Sequence, residues 1–274
     1  MTTVWAGGRL RDAREPVVTA VDPGLTTGSG LFETCGVVGG RAFALTRHLD
    51  RLVASSRALE LPPVDLDEVR TAAAAVVAAE GPGAGRVRIT VTPGAPDDGA
   101  PVLLVTAGPA PVRGPAHAVR SVWVRNERSP LAGHKSTSYA ADVLALAAAT
   151  RAGGNEAVLA NTRGDLCEGT GSNVLVERDG VLLTPDLASG CLPGVTRALV
   201  LEWAAEAGLP VHEATLPFAV LDEVAAGTAH LALTGSLRGV AAVHALDGAP
   251  VAPGPLTAEV ARLFTERAGA DPDP

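Results

Sequence analysis

The sequence predicts an α+β protein of two domains: a smaller N-terminal α/β domain over residues 1–110 and a larger C-terminal domain, rich in β-strands, over residues 118–274. Three observations carry this reading. The N-terminal part combines two helical periodicities with about four strand-like runs, enough for one α+β unit. Residues 108–117 (GPAPVRGPAH) hold three prolines and two glycines, the composition of a connection, and set an interdomain linker at 111–117. Beyond it, short apolar runs between turns predominate, and 274 residues with 47% hydrophobic content suffice to bury a core in each part.

Taken in order, residues 24–30 (GLTTGSG) lack both G-x-G-x-x-G and G-K-[ST] and read as a turn leading into a hairpin. LFETCGVVGGRAFAL (31–45) places two apolar runs around Gly39 and Gly40, the pattern of that hairpin. Leu49, Leu52, Val53 and Leu59 recur at helical spacing over 47–60, and Pro62-Pro63 stops the helix. Asp65 and Glu68 form a capping-box pattern for a second helix over 66–80. RVRITVT (86–92) and PVLLVTA (101–107) read as strands joined by a turn rich in Gly, Pro and Asp.

In the second domain, a strand near AVRSVWV (118–124) leads to a loop bearing Lys135 and an alanine-rich helix over 138–151. EAVLAN (156–161), CEGTGSNVLVE (167–177) and VLLT (181–184) read as a meander, and Pro193-Gly194 punctuates the chain before a helix over 195–207. HLALTG (230–235) and GVAAVHAL (239–246) add strands, and a terminal helix covers 257–267.

The formal net charge of −8 argues against nucleic-acid and anionic-membrane partners, which would repel the chain at long range; a small anion gripped by local arginines stays compatible. Cys35, Cys167 and Cys191 form no CxxC pair and the six histidines show no ligand spacing, so neither a disulfide framework nor a metal is expected. The N-terminal stretch has no basic region followed by an apolar run, which reads as a cytoplasmic protein.

Lys135 is the one lysine among 22 basic residues. A drift towards arginine that spared this position has a chemical reason: an amine loses its proton and condenses with an aldehyde, whereas a guanidinium stays charged and non-nucleophilic. On composition alone, an exposed lysine that merely escaped the drift explains the count equally well.

The segments LTRHLDRL, HKSTSY, LCEGTGSNV, LPGVTR and LTGSLRG occur in the order and approximate spacing of the class IV aminotransferases, and the chain from about Asp22 to Val243 resembles that family. The resemblance implies a fold-type IV enzyme, D-amino-acid aminotransferase-like in architecture, that uses pyridoxal 5′-phosphate (PLP) and is a homodimer. It places Lys135 in a Schiff base with the PLP aldehyde and Glu168 opposite the pyridine nitrogen, where a carboxylate keeps the ring protonated and electron-withdrawing.

The same resemblance puts Arg51, Val195, Thr196 and Ser236 on the phosphate, in keeping with the anion affinity of a helix N-terminus. Singly, Arg51 reads equally well as a solvated helix residue and LPGVTR as an ordinary turn and cap; their joint occurrence favours the site. Tyr139 is placed near the phenolic oxygen of PLP, though a buried structural tyrosine fits as well. His134 reads as a supporting or structural residue.

For the reaction, the short chain, Phe32-Glu33-Thr34, RVRITVT and LTGSLRG look most like the branch of 4-amino-4-deoxychorismate lyase, which releases pyruvate and 4-aminobenzoate and serves folate biosynthesis. Thr34 then lies near the substrate. Arg86 and Arg88, which share one strand face and hence one fate, are candidates for its two carboxylates. Pro93 stands where many relatives carry an arginine, which puts the lyase in doubt or passes the grip to Arg88, Arg125 or Arg128. The alternative is an aminotransferase of a small amino acid, branched-chain or D-configured. A non-catalytic PLP-binding protein is disfavoured because Lys135 and Glu168 are both present.

Overall fold

A computed structural model describes residues 3–96, 100–112 and 114–274, beginning with two strands that the sequence patterns do not announce, β1 (Thr3–Ala6) and β2 (Arg9–Asp12). Gly7 and Gly8 join them with φ of 58° and 74°, and Gly39 and Gly40 repeat the device at 56° and 77° between β3 (Leu31–Val38) and β4 (Arg41–Ala42). A two-residue turn that matches strand twist needs positive φ at both positions, which glycine adopts without strain. Four-residue strands are too short to show alternation, so the Gly-Gly pair is the one signal for the first hairpin. The glycine-rich 24–30 stretch begins in a short helix, α1 (Pro23–Thr26), capped by Asp22, which accepts from Gly24 N at 2.7 Å.

Helix α2 (Leu45–Ala58) starts two residues before the predicted span. Helix α3 (Leu66–Glu80) fills its span, and Asp65 accepts from the Asp67 and Glu68 amides. Only half of the capping box forms, because the Glu68 carboxylate accepts from Trp5 Nε1 at 3.0 Å instead. Strands β5 (Arg86–Thr92) and β6 (Val102–Gly108) complete an antiparallel sheet of order β2-β1-β6-β5-β3-β4. Residues 97–99 of the expected β5–β6 turn and Arg113 of the expected linker lie outside the described residues. One sheet face buries Leu31, Val87, Ile89, Val91 and Val105 with Leu49 and Leu52 of α2 and Val69, Ala72 and Val76 of α3.

The chain forms two compact units, and two segments depart from a single cut at 111–117. The first unit comprises Met1–Pro111, His134–Tyr139 and Ala268–Pro274; the second comprises Val112–Gly133 and Ala140–Arg267. His134–Tyr139 joins the first unit through β3: Lys135 O accepts from Phe32 N at 2.9 Å, Gly30 O from Thr137 N at 2.8 Å, and Ser136 bridges Leu31. The tail joins at α2, whose N-cap Ala44 offers no side-chain acceptor; Asp273 accepts from Thr46 N at 2.8 Å in its place.

The second unit runs β7 (Ala116–Arg120), α4 (Ala140–Arg151), β8 (Glu156–Ala160), β9 (Leu166–Gly169), β10 (Asn173–Arg178), β11 (Val181–Pro185), α5 (Val195–Glu206), β12 (Val211–Ala214), α6 (Val220–Ala226), β13 (His230–Gly235), β14 (Gly239–Leu246), β15 (Ala249–Pro250) and α7 (Pro255–Ala270), of which it holds α7 as far as Arg267. Its sheet order is β12-β11-β10-β13-β14-β7-β8-β9, with β15 on β14.

Two expectations need correction. Strand β7 begins inside the stretch read as linker, because Ala116 and Ala118 are buried between parallel neighbours β14 and β8. The run 156–184 is no simple meander: β9 pairs with β8, whereas β10 pairs with β11 and β13. Loop 170–172 redirects the chain between them, held by Glu156, which accepts from Thr170 Oγ1, Gly171 N and Ser172 Oγ.

Candidate active site

In the first unit, strand alternation decides which side chains gather. Thr34 pairs with Arg88, Gly36 with Arg86 and Phe32 with Thr90, so Phe32, Thr34, Arg86 and Arg88 share the sheet face opposite α2 and α3. Phe32 is the common neighbour. Lys135 Nζ lies 4.4 Å from the centre of its ring and Arg88 Cζ 3.9 Å from it, while Tyr139 meets it edge-on at 5.3 Å and 86°. Tyr139 is also 5.6 Å from Lys135 Nζ, measured to the ring centre. The structure thus brings together the predicted Lys135, Tyr139, Thr34 and both arginines. Burial and then the like charge of Arg86 push the Arg88 guanidinium below its ordinary pKa, a penalty that an anionic ligand relieves.

The lysine segment is clamped from below. Thr137 Oγ1 and Ser138 Oγ both donate to Gly28 O, at 2.8 and 3.0 Å, and a Cβ on Gly30 would come within 2.8 Å of Val91 O and 3.0 Å of Thr137 Oγ1. The glycines of 24–30 therefore admit the backbone that carries Lys135, a role that a turn pattern alone does not foretell. His134 is structural: its Nδ1 lies 3.0 Å from Ser55 Oγ of α2.

Arg51 lies with the opposite face of β3. Its Nε and Nη2 donate to Glu33 Oε1 and Oε2 at 2.8 and 2.6 Å, and His48 Nδ1 lies 2.7 Å from the same Oε2. Burial raises the proton affinity of Glu33, but the charges and hydrogen bonds of Arg51 and His48 outweigh it and hold its pKa down to about 2. Burial also lowers the pKa of His48, against the opposing pull of the Glu33 carboxylate. Glu33 and His48 lie in the family-like segments Phe32-Glu33-Thr34 and LTRHLDRL, but neither is singled out there as a site residue. Period-2 alternation across β3 and the Leu49/Leu52 stripe of α2 would have turned both inward.

In the second unit, Glu168 is buried at the end of β9. Its Oε2 accepts from Leu192 N at 2.9 Å and from Asn173 Nδ2 at 3.4 Å, and its Oε1 lies 3.1 Å from Arg125 Nη2. Arg125 also pairs with Asp142 at 2.7 Å, so this alternative substrate grip is already engaged by two carboxylates; Arg128 is exposed at 86%, near Glu127. Asn173 fixes the approach to α5, donating to Leu192 O at 2.8 Å. A Cβ on Gly194 would lie 2.0 Å from Asn173 Oδ1, which explains glycine at that N-cap.

With Gly194 as N-cap, no side chain caps α5, whose first residues Val195 and Thr196 are both buried. A buried, side-chain-uncapped helix start needs acceptors, and a phosphate supplies them. Ser236 is half-buried in the turn between β13 and β14. Each unit's donor set thus fits one part of PLP: an amine among aromatic rings in the first, a buried carboxylate and a helix start in the second. Among the described residues, no cluster of three or more His, Cys, Asp or Glu suits a metal ion.

Residues 30–246 match the family model described as amino-transferase class IV. The chain belongs to that family. Curated relatives include the D-alanine aminotransferase of Listeria monocytogenes, 28% identical over 96% of this chain and 95% of that protein. The bifunctional aminodeoxychorismate lyase / D-amino acid transaminase of Mycobacterium tuberculosis is 29% identical over 89% and 91%. A solved structure described as a hypothetical aminotransferase from M. tuberculosis, in its PLP-bound form, superposes with a TM-score of 0.87 at 28% identity, covering 97% of this chain and 98% of that one. Members of the family use PLP, and this class IV enzyme has the fold-type IV architecture.

Proposed function

We propose that this class IV enzyme is an aminotransferase that moves an amino group between a small amino acid and a 2-oxo acid, with Lys135 as the amine that carries PLP. When bound, PLP supplies an aldehyde and an electron-withdrawing ring that stabilises negative charge on the carbon next to the substrate nitrogen. The observation that carries the reading is the shared contact of Lys135 Nζ and Arg88 with the Phe32 ring. It sets a fixed cation beside the reacting amine, where a substrate carboxylate belongs. Released from the aldehyde, the Lys135 amine would take the proton from the substrate carbon and deliver it to the cofactor's former aldehyde carbon, the shift that amino transfer requires.

Glu168 faces the pyridine nitrogen in this scheme, and the Val195 and Thr196 amides, the Thr196 hydroxyl and Ser236 hold the phosphate. Glu33 uses two of the five N–H donors of Arg51 and fixes its plane, so Arg51 serves that phosphate as a rigid donor. Tyr139 borders the ring and Thr34 the substrate. Amino transfer is favoured because it appears in the names of both curated relatives described above, the bifunctional one included.

Lyase action on aminodeoxychorismate is the second reading. It is favoured by that bifunctional relative and by Arg86 lying beside Arg88, a match for two carboxylates. Purified enzyme given amino acids with 2-oxoglutarate should form glutamate; aminodeoxychorismate in its place tests for pyruvate. Pyruvate without any amino exchange overturns the first reading. Lys135→Ala should abolish turnover and prevent borohydride from fixing PLP to the chain; full activity in that variant removes the scheme altogether.

We further propose a homodimer. Val122, Trp123, Val124, Val143 and Leu144 are large apolar residues left exposed on the second unit, and a second copy covering them is the economical occupant. Three buried, unpaired cysteines support a cytoplasmic enzyme.

A further inference from the structure

We propose that Asp142, acting through Arg125, is a positioning residue that sets the negative charge Glu168 presents to the cofactor's ring nitrogen, and hence how fully that nitrogen stays protonated. The inference rests on the placement of Glu168 proposed above. One atom links the two carboxylates: Arg125 Nη2 lies 2.7 Å from Asp142 Oδ1 and 3.1 Å from Glu168 Oε1, and Nη1 lies 3.4 Å from Asp142 Oδ2. The side chains of Asp142 and Glu168 are only 5% and 9% exposed, so water screens them poorly.

Charge counting gives the consequence. Arg125 offsets part of the negative charge that Glu168 presents to a ring cation. Asp142 makes the trio net negative by one. Cys167 and Cys191 are pushed up, first by burial and then by Glu168, and stay neutral thiols, and Leu192 N and Asn173 Nδ2 are uncharged donors. Glu156 is spent on loop 170–172. Asp142 is also the one charged residue between Ala140 and Thr150 of α4, and it lies in the first turn, where an acid stabilises any helix. The test must therefore separate charge from helix stability.

Holoenzyme loaded with PLP labelled with 15N in the ring gives a resonance that reports protonation of that nitrogen directly as pH is varied. Asp142→Asn should move the midpoint down by about one pH unit, as expected for a charge removed from a poorly screened site. Arg125→Gln should move it up, and Arg125→Lys should restore it towards the unsubstituted enzyme. Opposite signs are the signature of the relay, because loosened packing would drive both variants the same way. Shifts of equal sign, or no shift in either variant, overturn the relay. Glu168→Gln is the control on the underlying reading: if that substitution leaves the ring nitrogen unchanged, Glu168 does not face it and both proposals fall.

Discussion

Replacing Glu33 by glutamine tests the buried cluster beneath the lysine face. The carboxylate is 1% exposed and bonded to Arg51 and His48 at 2.6–2.8 Å, so the substitution takes a counter-charge away from a buried guanidinium. Two routes give the magnitude. A carboxyl whose pKa falls from 4.5 to about 2 on folding stabilises the native state by about 3 kcal/mol at neutral pH. Removing one partner of a buried ion pair costs about 3–5 kcal/mol. The agreement predicts a fall in melting temperature on the order of 10 °C for Glu33→Gln at pH 7.

The sign of the pH dependence follows from the depressed value. Stabilisation by Glu33 is complete above pH 4.5 and is lost as pH falls towards 2, where the folded protein finally takes up the proton. His48 is depressed as well, so its contribution is complete above its unfolded value of 6.5 and declines below it. Thermal melts of both proteins at steps from pH 7 to pH 3 should show the difference between them narrowing below pH 4.5. A difference constant across that range, or smaller than about 1 kcal/mol at pH 7, refutes the account of a charged, paired Glu33.

Arg88→Ala should raise KM for a dicarboxylic 2-oxo acid about 10- to 100-fold while changing kcat little, the loss expected for one charge-assisted contact, as steady-state kinetics will show. Gly194→Ala forces a methyl against Asn173 Oδ1 and should weaken PLP binding, read by fluorescence titration, with a stability loss of about 1–3 kcal/mol. Light scattering on a sizing column should give twice the chain mass, and Val143→Glu with Leu144→Glu should halve it. A chain already monomeric before substitution removes the proposed interface.

The predicted fold was legible where a pattern was long or a turn signal strong. The leucine stripe of α2 and the Asp65 cap give helices within two residues of their predicted bounds, and the double glycine at 39–40 gives the hairpin, whose second strand ends at Ala42 instead of Leu45. Short elements left too few residues for periodicity, as in β1, β2 and α6. Strand pairing was legible only across tight turns, as in β3–β4 and β10–β11: β9 and β10 are adjacent in sequence, yet buried Glu156 bends the loop so that each finds another partner. At the site, Lys135 stood out as the one lysine and Glu168 through the family-like segment LCEGTGSNV. The residues that hold them, among them Arg125, Asp142, Glu33 and Asn173, are not singled out for that supporting role. An arginine looks alike in sequence whether it grips substrate or lies between two carboxylates, and only the fold tells Arg88 from Arg125.

Strand β3 shows why the supporting layer escapes motif reading. Its period of two sends Phe32 and Thr34 to the face with Lys135 and Arg88, and Glu33 and Cys35 to the face packed on α2. A slip of one residue would exchange the two sets, placing a carboxylate beside the Lys135 amine and burying a hydroxyl opposite Arg51. The ion pair under the strand therefore fixes register as well as stability, because Glu33 meets Arg51 and His48 in one alignment only. Chemistry on the upper face depends on that alignment although no atom of Glu33 belongs to it. The short Phe-Glu-Thr segment is thus a single device in which the middle residue anchors the two that flank it.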